Sequence, residues 1–233
     1  MLSRMSGEIP PPTSGGPRRG GRGANLSRPG IVAAAVAVAD SDGLSSISMR
    51  RIAAELGCEA MSLYNYVASK DDLIRLMAES VLSEFVPPPP APWRNELGGI
   101  ADELRRIALA HPHLFSLIAE QLPGTEVALI PVGATLSALR NAGLDEADLV
   151  TSFWALASYT SGALIAETAF VRGVEQTFPA AELPLESDVA SLASSLAGSG
   201  WEGEFTSGLE LLLDAIEARV ERAARRGGSP ASG

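Results

Sequence analysis

Polar and apolar positions along this chain recur with helical spacing almost throughout. In "RPGIVAAAVAVADSDG", residues 28–43, Ile31, Val32, Ala35, Val38 and Ala39 fall three and four apart, behind Ser27 as an N-cap and ahead of Gly43 as a stop. A second helix is predicted in "MRRIAAELG": Ser48 caps it, Ile52 and Leu56 are four apart, and Gly57 can adopt the left-handed conformation that closes a helix. "EAMSLYNYV" predicts a short third helix. "SKDDLIRLMAESVLSEFV" predicts a fourth, capped by Ser69, with Asp71 and Asp72 in the first turn where the helix dipole favours acids. Further on, the pattern predicts helices over 94–110, 112–121 with Pro112 at its first position, 125–142, 145–170 and 201–226, with a short one a candidate in "ESDVASLASSL". No segment reads as a strand and no repeat is evident, so the fold class is all-α.

Local composition divides this pattern. Residues 1–27 are rich in Pro, Gly, Ser and Arg, and such a segment buries too little apolar surface to offset its chain entropy; a disordered basic arm is expected. Residues 28–86 form a small helical domain, "PPPPAPW" (87–93) a stiff linker, 94–226 a larger helical body and 227–233 a disordered tail.

Within the small domain, two helices joined at Gly57 and braced by a longer one make the order of a helix-turn-helix, whose second helix enters the major groove of DNA. Leu63 and Val67 can pack inward against Ile52 and Leu56, leaving Ala60, Met61, Tyr64 and Asn65 to face outward towards base edges. The hydroxyls of Tyr64 and Tyr66 can bond phosphates, as can Lys70 at the start of the fourth helix. Arg50, in the first turn of the second helix, can reach a guanine edge bidentately or make a plain phosphate contact.

Charge bears on this reading. The 233 residues carry a net −10, but residues 1–70 hold eight Lys/Arg against five acids, a balance of +3, while the rest is −13. Exposed charges are screened over about 8 Å at physiological salt, so the basic end can meet a polyanion that the acidic body repels. Hydrophobic residues make up 46% and charged ones 20%, a globular balance. No apolar run of roughly 18 to 20 residues is apparent, so no membrane association is expected. The N-terminal segment lacks the apolar stretch of a secretory signal, and the single cysteine, Cys58, admits no internal disulfide; both fit the cytoplasm.

Other chemistry finds little support. The chain shows no phosphate-cradling glycine loop, nucleophile elbow or His-Glu-x-x-His, so an enzyme is not expected, nor a metal or cofactor. His111 and His113 in "AHPHLF" face different ways on a helix and read as a helix start around Pro112. Cys58 reads as a small packing residue. Phe115, Phe153, Trp154 and Tyr159 are candidate ligand contacts, although aromatics on the 145–170 helix are more often core. Trp201, Phe205, Leu209, Leu212, Leu213, Ile216 and Val220 lie on one stripe of the last helix, which with the 145–170 helix could form a four-helix interface between two copies.

Over "ADSDGLSSISMRRIAAELGCEAMSLYNYVASKDDLI" the sequence resembles the TetR family of transcriptional regulators, specifically its tetracycline-repressor-like branch. A looser similarity continues through "RIALAHPHLFSLIAEQLPG", "LSALRNAGL" and "SFWALASYTSGALIAE". The resemblance implies a homodimer with N-terminal DNA-binding heads and a helical effector-binding and dimerisation body spanning 94–226. It carries DNA contacts onto Ser48, Met49, Arg50, Ala60, Met61, Ser62, Tyr64, Asn65 and Lys70. Tyr66 and Cys58 depart from the usual histidine and valine. The expected function is a regulator, most simply a repressor, released from a palindromic double-stranded operator by a small-molecule effector. The alternative is a helical small-molecule binding protein with a vestigial DNA head.

Overall fold

The computed structural model describes residues 26–121, 125–173 and 201–227. The expected arm up to residue 25, the short helix within 186–196 and the tail from 228 lie outside them. Every regular element among the described residues is helical: α1 (Arg28–Asp42), one 3-10 turn (Leu44–Ser46), α2 (Met49–Glu55), α3 (Ala60–Leu63), α4 (Lys70–Leu82), α5 (Trp93–Ala110), α6 (Phe115–Gln121), α7 (Leu129–Asn141), α8 (Glu146–Val171) and α9 (Trp201–Gly227).

Capping chemistry fixes the head. The hydroxyls of Ser27, Ser48 and Ser69 accept bonds from the backbone N–H of Gly30, Arg51 and Asp72, satisfying donors that each helix start leaves open. The end of α2 is closed by two bonds, Gly57 N–H to the Ala54 carbonyl and Cys58 N–H to the Ala53 carbonyl (3.2 and 2.9 Å), with Gly57 at φ 65°. That double closure needs a left-handed residue, which is why a glycine stands there. Cys58 packs half-buried against the core beside it. Ile31, Ile52, Leu63, Leu73 and Met77 are fully enclosed, each such large side chain contributing roughly 1.5–3 kcal/mol by leaving water.

Several boundaries differ from the sequence reading. The third helix is only Ala60–Leu63; Tyr64, Asn65 and Tyr66 continue it with bonds to the residue three earlier, because its N-cap, Glu59, supplies no side-chain bond and the tyrosines have weak helix propensity. Helix α6 begins at Phe115 rather than Pro112: His111 closes α5, and its carbonyl accepts from the N–H groups of Leu114 and Phe115 across a turn. Helix α7 starts at Leu129, after a turn that includes 126–128. Trp93 belongs to α5. The proline segment lies along that helix, with Pro88 against Gly99, Glu103 accepting from Val86 N–H and Glu96 from Ala91 N–H.

The body is organised around α8, which packs on α5, α6, α7 and α9. Its buried stripe includes Ser152, Leu156, Thr160, Leu164, Glu167 and Thr168. Glu167, 4% exposed, is held bidentately by Arg105 of α5 at 2.6 and 2.9 Å, and that guanidinium lies 5.3 Å over the Phe205 ring. By length and mean hydropathy (1.3) α8 would suffice to cross a bilayer, contrary to the expectation of no such run. Alanine, glycine, serine and threonine rather than charges separate its large apolar residues. One side of it packs within the chain and the other leaves Val150, Trp154 and Ile165 exposed.

The apolar stripe of α9 is largely used within the chain. Phe205, Leu209, Leu213 and Ile216 are buried and Leu212 and Val220 partly so; Leu211, 72% exposed, points outward. Trp201 lies outside the described side chains. Arg94 at the start of α5 pairs with Glu210, Asp214 and Glu217 of α9, and Arg219 with Asp148 of α8. Where α8 and α9 approach most closely, the Tyr159 hydroxyl donates to the Glu204 and Phe205 carbonyls and its ring lies against Gly208, leaving no room for a β-carbon. Gly208→Ala should therefore destabilise the fold by about 1–3 kcal/mol through overpacking. Thermal unfolding of Gly208→Ala, Tyr159→Ala and the double variant checks this: the two losses should be clearly less than additive, since the second change removes the obstruction.

Candidate DNA-binding surface and ligand cavity

The face formed by α2, α3 and the turn after it collects most of the expected DNA contacts. Ser48 and Arg50 are exposed at the start of α2, and Met61 (73% exposed), Tyr64, Asn65 and Tyr66 project from α3 and its turn, with Ala60 and Ser62 half-buried beside them. Leu63 and Val67 point inward, as the spacing predicted. Met49 does not join this face: it is 8% exposed within the head core, so its expected DNA role is corrected to packing. Successive residues of a helical turn point about 100° apart, so Ser48 and Arg50 can face out while Met49 faces in. Met61 is the most exposed large apolar side chain on the head.

The two arginines of α2 are differentiated by their neighbours. Arg51 is held between Asp42 (3.1 Å) and Glu55 (3.4 Å). Arg50 has no ion-pair partner among the described residues, and neither does Lys70, exposed at the first position of α4. The start of α4 is a tight polar knot. The Asp72 carboxylate accepts from Ala68 N–H (2.9 Å), bonds Arg75 (2.7 Å) and lies 3.5 Å from Arg28 of α1. The Ala68 backbone bond and the Arg75 guanidinium hold its pKa below the usual carboxylate value.

A second set of contacts joins head to body. His111, at the end of α5, bonds Asp40 of α1 through Nδ1 (2.8 Å) and Glu84, just past α4, through Nε2 (3.1 Å). The His113 ring lies beside Gly43 at the end of α1. These histidines are thus joint residues, a role the sequence alone did not reveal, because both acids lie far away along the chain. Among the described residues no group of three His, Cys, Asp or Glu side chains could hold a metal ion.

The body carries a half-open cavity of about 360 Å³ between α5, α6, α7 and α8. Leu97, Ile100 and Leu104 of α5 form one wall, Phe115 and Ile118 of α6 another, and Pro131, Val132 and Thr135 of α7 a third. Phe153, Trp154 and Thr160 line it from α8, and Leu82 closes it from α4. Three of the four expected ligand aromatics, Phe115, Phe153 and Trp154, are therefore at the cavity. Tyr159 is not: it turns towards α9, where the carbonyls described above capture its hydroxyl and burial raises its pKa. Tyr159 shares α8 with Phe153 and Trp154, but a position five residues from Trp154 falls on a different face.

Known proteins agree with this architecture. The model of bacterial regulatory proteins of the tetR family matches residues 31–77, and that of the tetracyclin repressor-like C-terminal domain matches residues 86–220. The chain therefore belongs to the TetR family of helix-turn-helix transcriptional regulators. It is 30% identical over 201 residues to an HTH-type transcriptional regulator of Saccharopolyspora erythraea, covering 83% of this chain and 85% of that one. It is 32% identical over 217 residues to the HTH-type transcriptional repressor DrrR1 of Streptomyces coeruleorubidus, covering 85% and 79%. Among solved structures it resembles the Streptomyces coelicolor TetR family protein ActR in complex with actinorhodin, with TM-score 0.71, 27% identity and coverage of 84% and 98%.

The depressed pKa of Asp72 has a direct consequence for stability. A carboxylate favoured in the folded state stabilises above its unfolded pKa, and that contribution is lost as pH falls through the folded value. Asp72→Asn should lower the urea midpoint at pH 7, and the deficit should shrink steadily below about pH 4. Urea titrations at pH 7 and pH 3 check it; a deficit independent of pH would assign the loss to packing instead.

Proposed function

We propose that the protein is a homodimeric repressor that binds a palindromic operator through two heads and is released when a small molecule fills the body cavity. The supporting observation is the position of α4. This helix begins at the exposed Lys70, packs on α1 and α6, and ends in Leu82 at the cavity wall. A ligand that displaced Leu82 or α6 would tilt the element on which the head rests. An effector preferring the released state 100-fold supplies about 2.7 kcal/mol of coupling. The function requires no catalysis and no cofactor, and belongs in the cytoplasm, where the DNA is.

On the DNA, Arg50 is the candidate for direct base reading, because it is exposed and unpaired among the described residues while Arg51 is tied to acids. Ala60, Met61 and Asn65 supply the remaining base-facing surface. Ser48, Ser62, Tyr64, Tyr66 and Lys70 are suited to phosphates and fix register. Arg18, Arg19 and Arg22, outside the described residues, add positive charge to the N-terminal end of the chain. The dimer forms through the outer side of α8, where Val150 and Ile165 are exposed together with Trp154, which also lines the cavity, supplemented by Leu211 of α9. The relatives' names point the same way: DrrR1 is named as a repressor and ActR is described with a bound small molecule.

Arg50→Ala should weaken operator binding by about 1–3 kcal/mol and affect random DNA much less, measured by gel shift on the DNA flanking the gene. Equal losses on both would make Arg50 a phosphate contact. Ile165→Glu should yield a monomer in size-exclusion chromatography with light scattering, together with loss of the operator shift. A persistent dimer would reject α8 as the interface.

A further inference from the structure

The cavity specifies the chemistry of its occupant more closely than the family does. Among the described residues no charged side chain lines it. The rings of Phe115, Phe153 and Trp154 and the aliphatic groups around them offer flat, apolar contact. An unpaired carboxylate or ammonium seated against these walls would lose part of its hydration without gaining a partner, which is costly.

One lining group breaks the apolar pattern in an informative way. Thr151 and Thr168 of α8 each donate their hydroxyl to the carbonyl four residues earlier, Ala147 at 2.9 Å and Leu164 at 2.8 Å. Thr135 of α7 does the same towards Pro131 at 2.9 Å. Thr160, only 7% exposed and lining the cavity from the centre of α8, makes no hydrogen bond among the described residues. Buried hydroxyls are normally paired, so one left open on a residue that lines an apolar cavity is suited to a ligand atom. Ser161, the other lining hydroxyl, is exposed.

We infer that the effector is a neutral, mainly aromatic molecule carrying a hydroxyl or carbonyl oxygen that hydrogen-bonds Thr160. This rests on reading the cavity as the effector site. It sets an uncharged ring system apart from metal chelates, carboxylic acids and amines, and makes Thr160 the residue that recognises the ligand's polar atom.

Three compounds on one ring system test it: 2-naphthol, 2-naphthoate and 2-methylnaphthalene, titrated calorimetrically into the full-length protein at pH 7. Binding of 2-naphthol should be roughly tenfold or more tighter than that of the anionic 2-naphthoate. It should also exceed 2-methylnaphthalene by roughly two- to tenfold, the range of one net hydrogen bond. Thr160→Val should abolish the second ratio and Thr160→Ser restore it, with thermal melts confirming that both variants are folded. Equal or tighter binding of 2-naphthoate, an unchanged naphthol-to-methylnaphthalene ratio in Thr160→Val, or no binding of any compound would overturn the inference. These ratios need no DNA, so loss of the operator reading alone, with no gel shift at low salt, would leave them standing.

Discussion

Helix α4 has a single buried face, and that face must satisfy the head and the body at once. Leu73, Met77, Val81 and Leu82 are all enclosed, and the helix packs on α1 on one side and α6 on the other. Closely packed interiors do not deform continuously, so a change on the α6 side cannot be absorbed without a shift of the whole helix or a change on the α1 side. The polar contacts reinforce this coupling at both ends. Asp72 ties the start of α4 to Arg28 of α1, and His111 ties Glu84, just past its end, to Asp40. The head is thereby held to the body by contacts at two levels rather than by the proline segment alone.

Electrostatics and apolar exposure divide the surface into working regions. Among the described residues Arg50 and Lys70 of the head have no ion-pair partner, whereas several arginines of the body do: Arg94 with three acids of α9, Arg105 with Glu167, Arg106 with Glu103. Strong net negative charge outside the head opposes nonspecific contact with DNA and confines attraction to one end. Exposed large apolar residues include Met61 on the head and Val150, Trp154, Ile165 and Phe170 on α8, with Val86, Leu129 and Leu211 elsewhere.

The parts of this structure that depend on local chemistry were legible in the sequence. Serine caps at 27, 48 and 69, the left-handed Gly57 and the inward pair Leu63 and Val67 follow from rules that act within a few residues. The same holds for the all-α class and for Arg50 at an exposed first turn. What depended on distant partners was not legible. Met49 lies in the same turn as Arg50, and only the tertiary core shows which of them is inside. Tyr159 was drawn away from the cavity by carbonyls on a helix some 45 residues on, and His111 became a joint because folding brought it to Asp40 and Glu84. Thr160 emerged as a candidate ligand contact only from its unused hydroxyl, a property invisible in a helix that also carries Thr151 and Thr168.

The central claim is a symmetric regulator placing two α2–α3 faces in the major groove on one side of the DNA. Hydroxyl-radical footprinting on the DNA flanking the gene tests it most directly. The account predicts two protected stretches related by a two-fold axis, their centres separated by about one helical turn of 10 base pairs or a multiple of it. A single asymmetric patch, or protection without helical phasing, would contradict it.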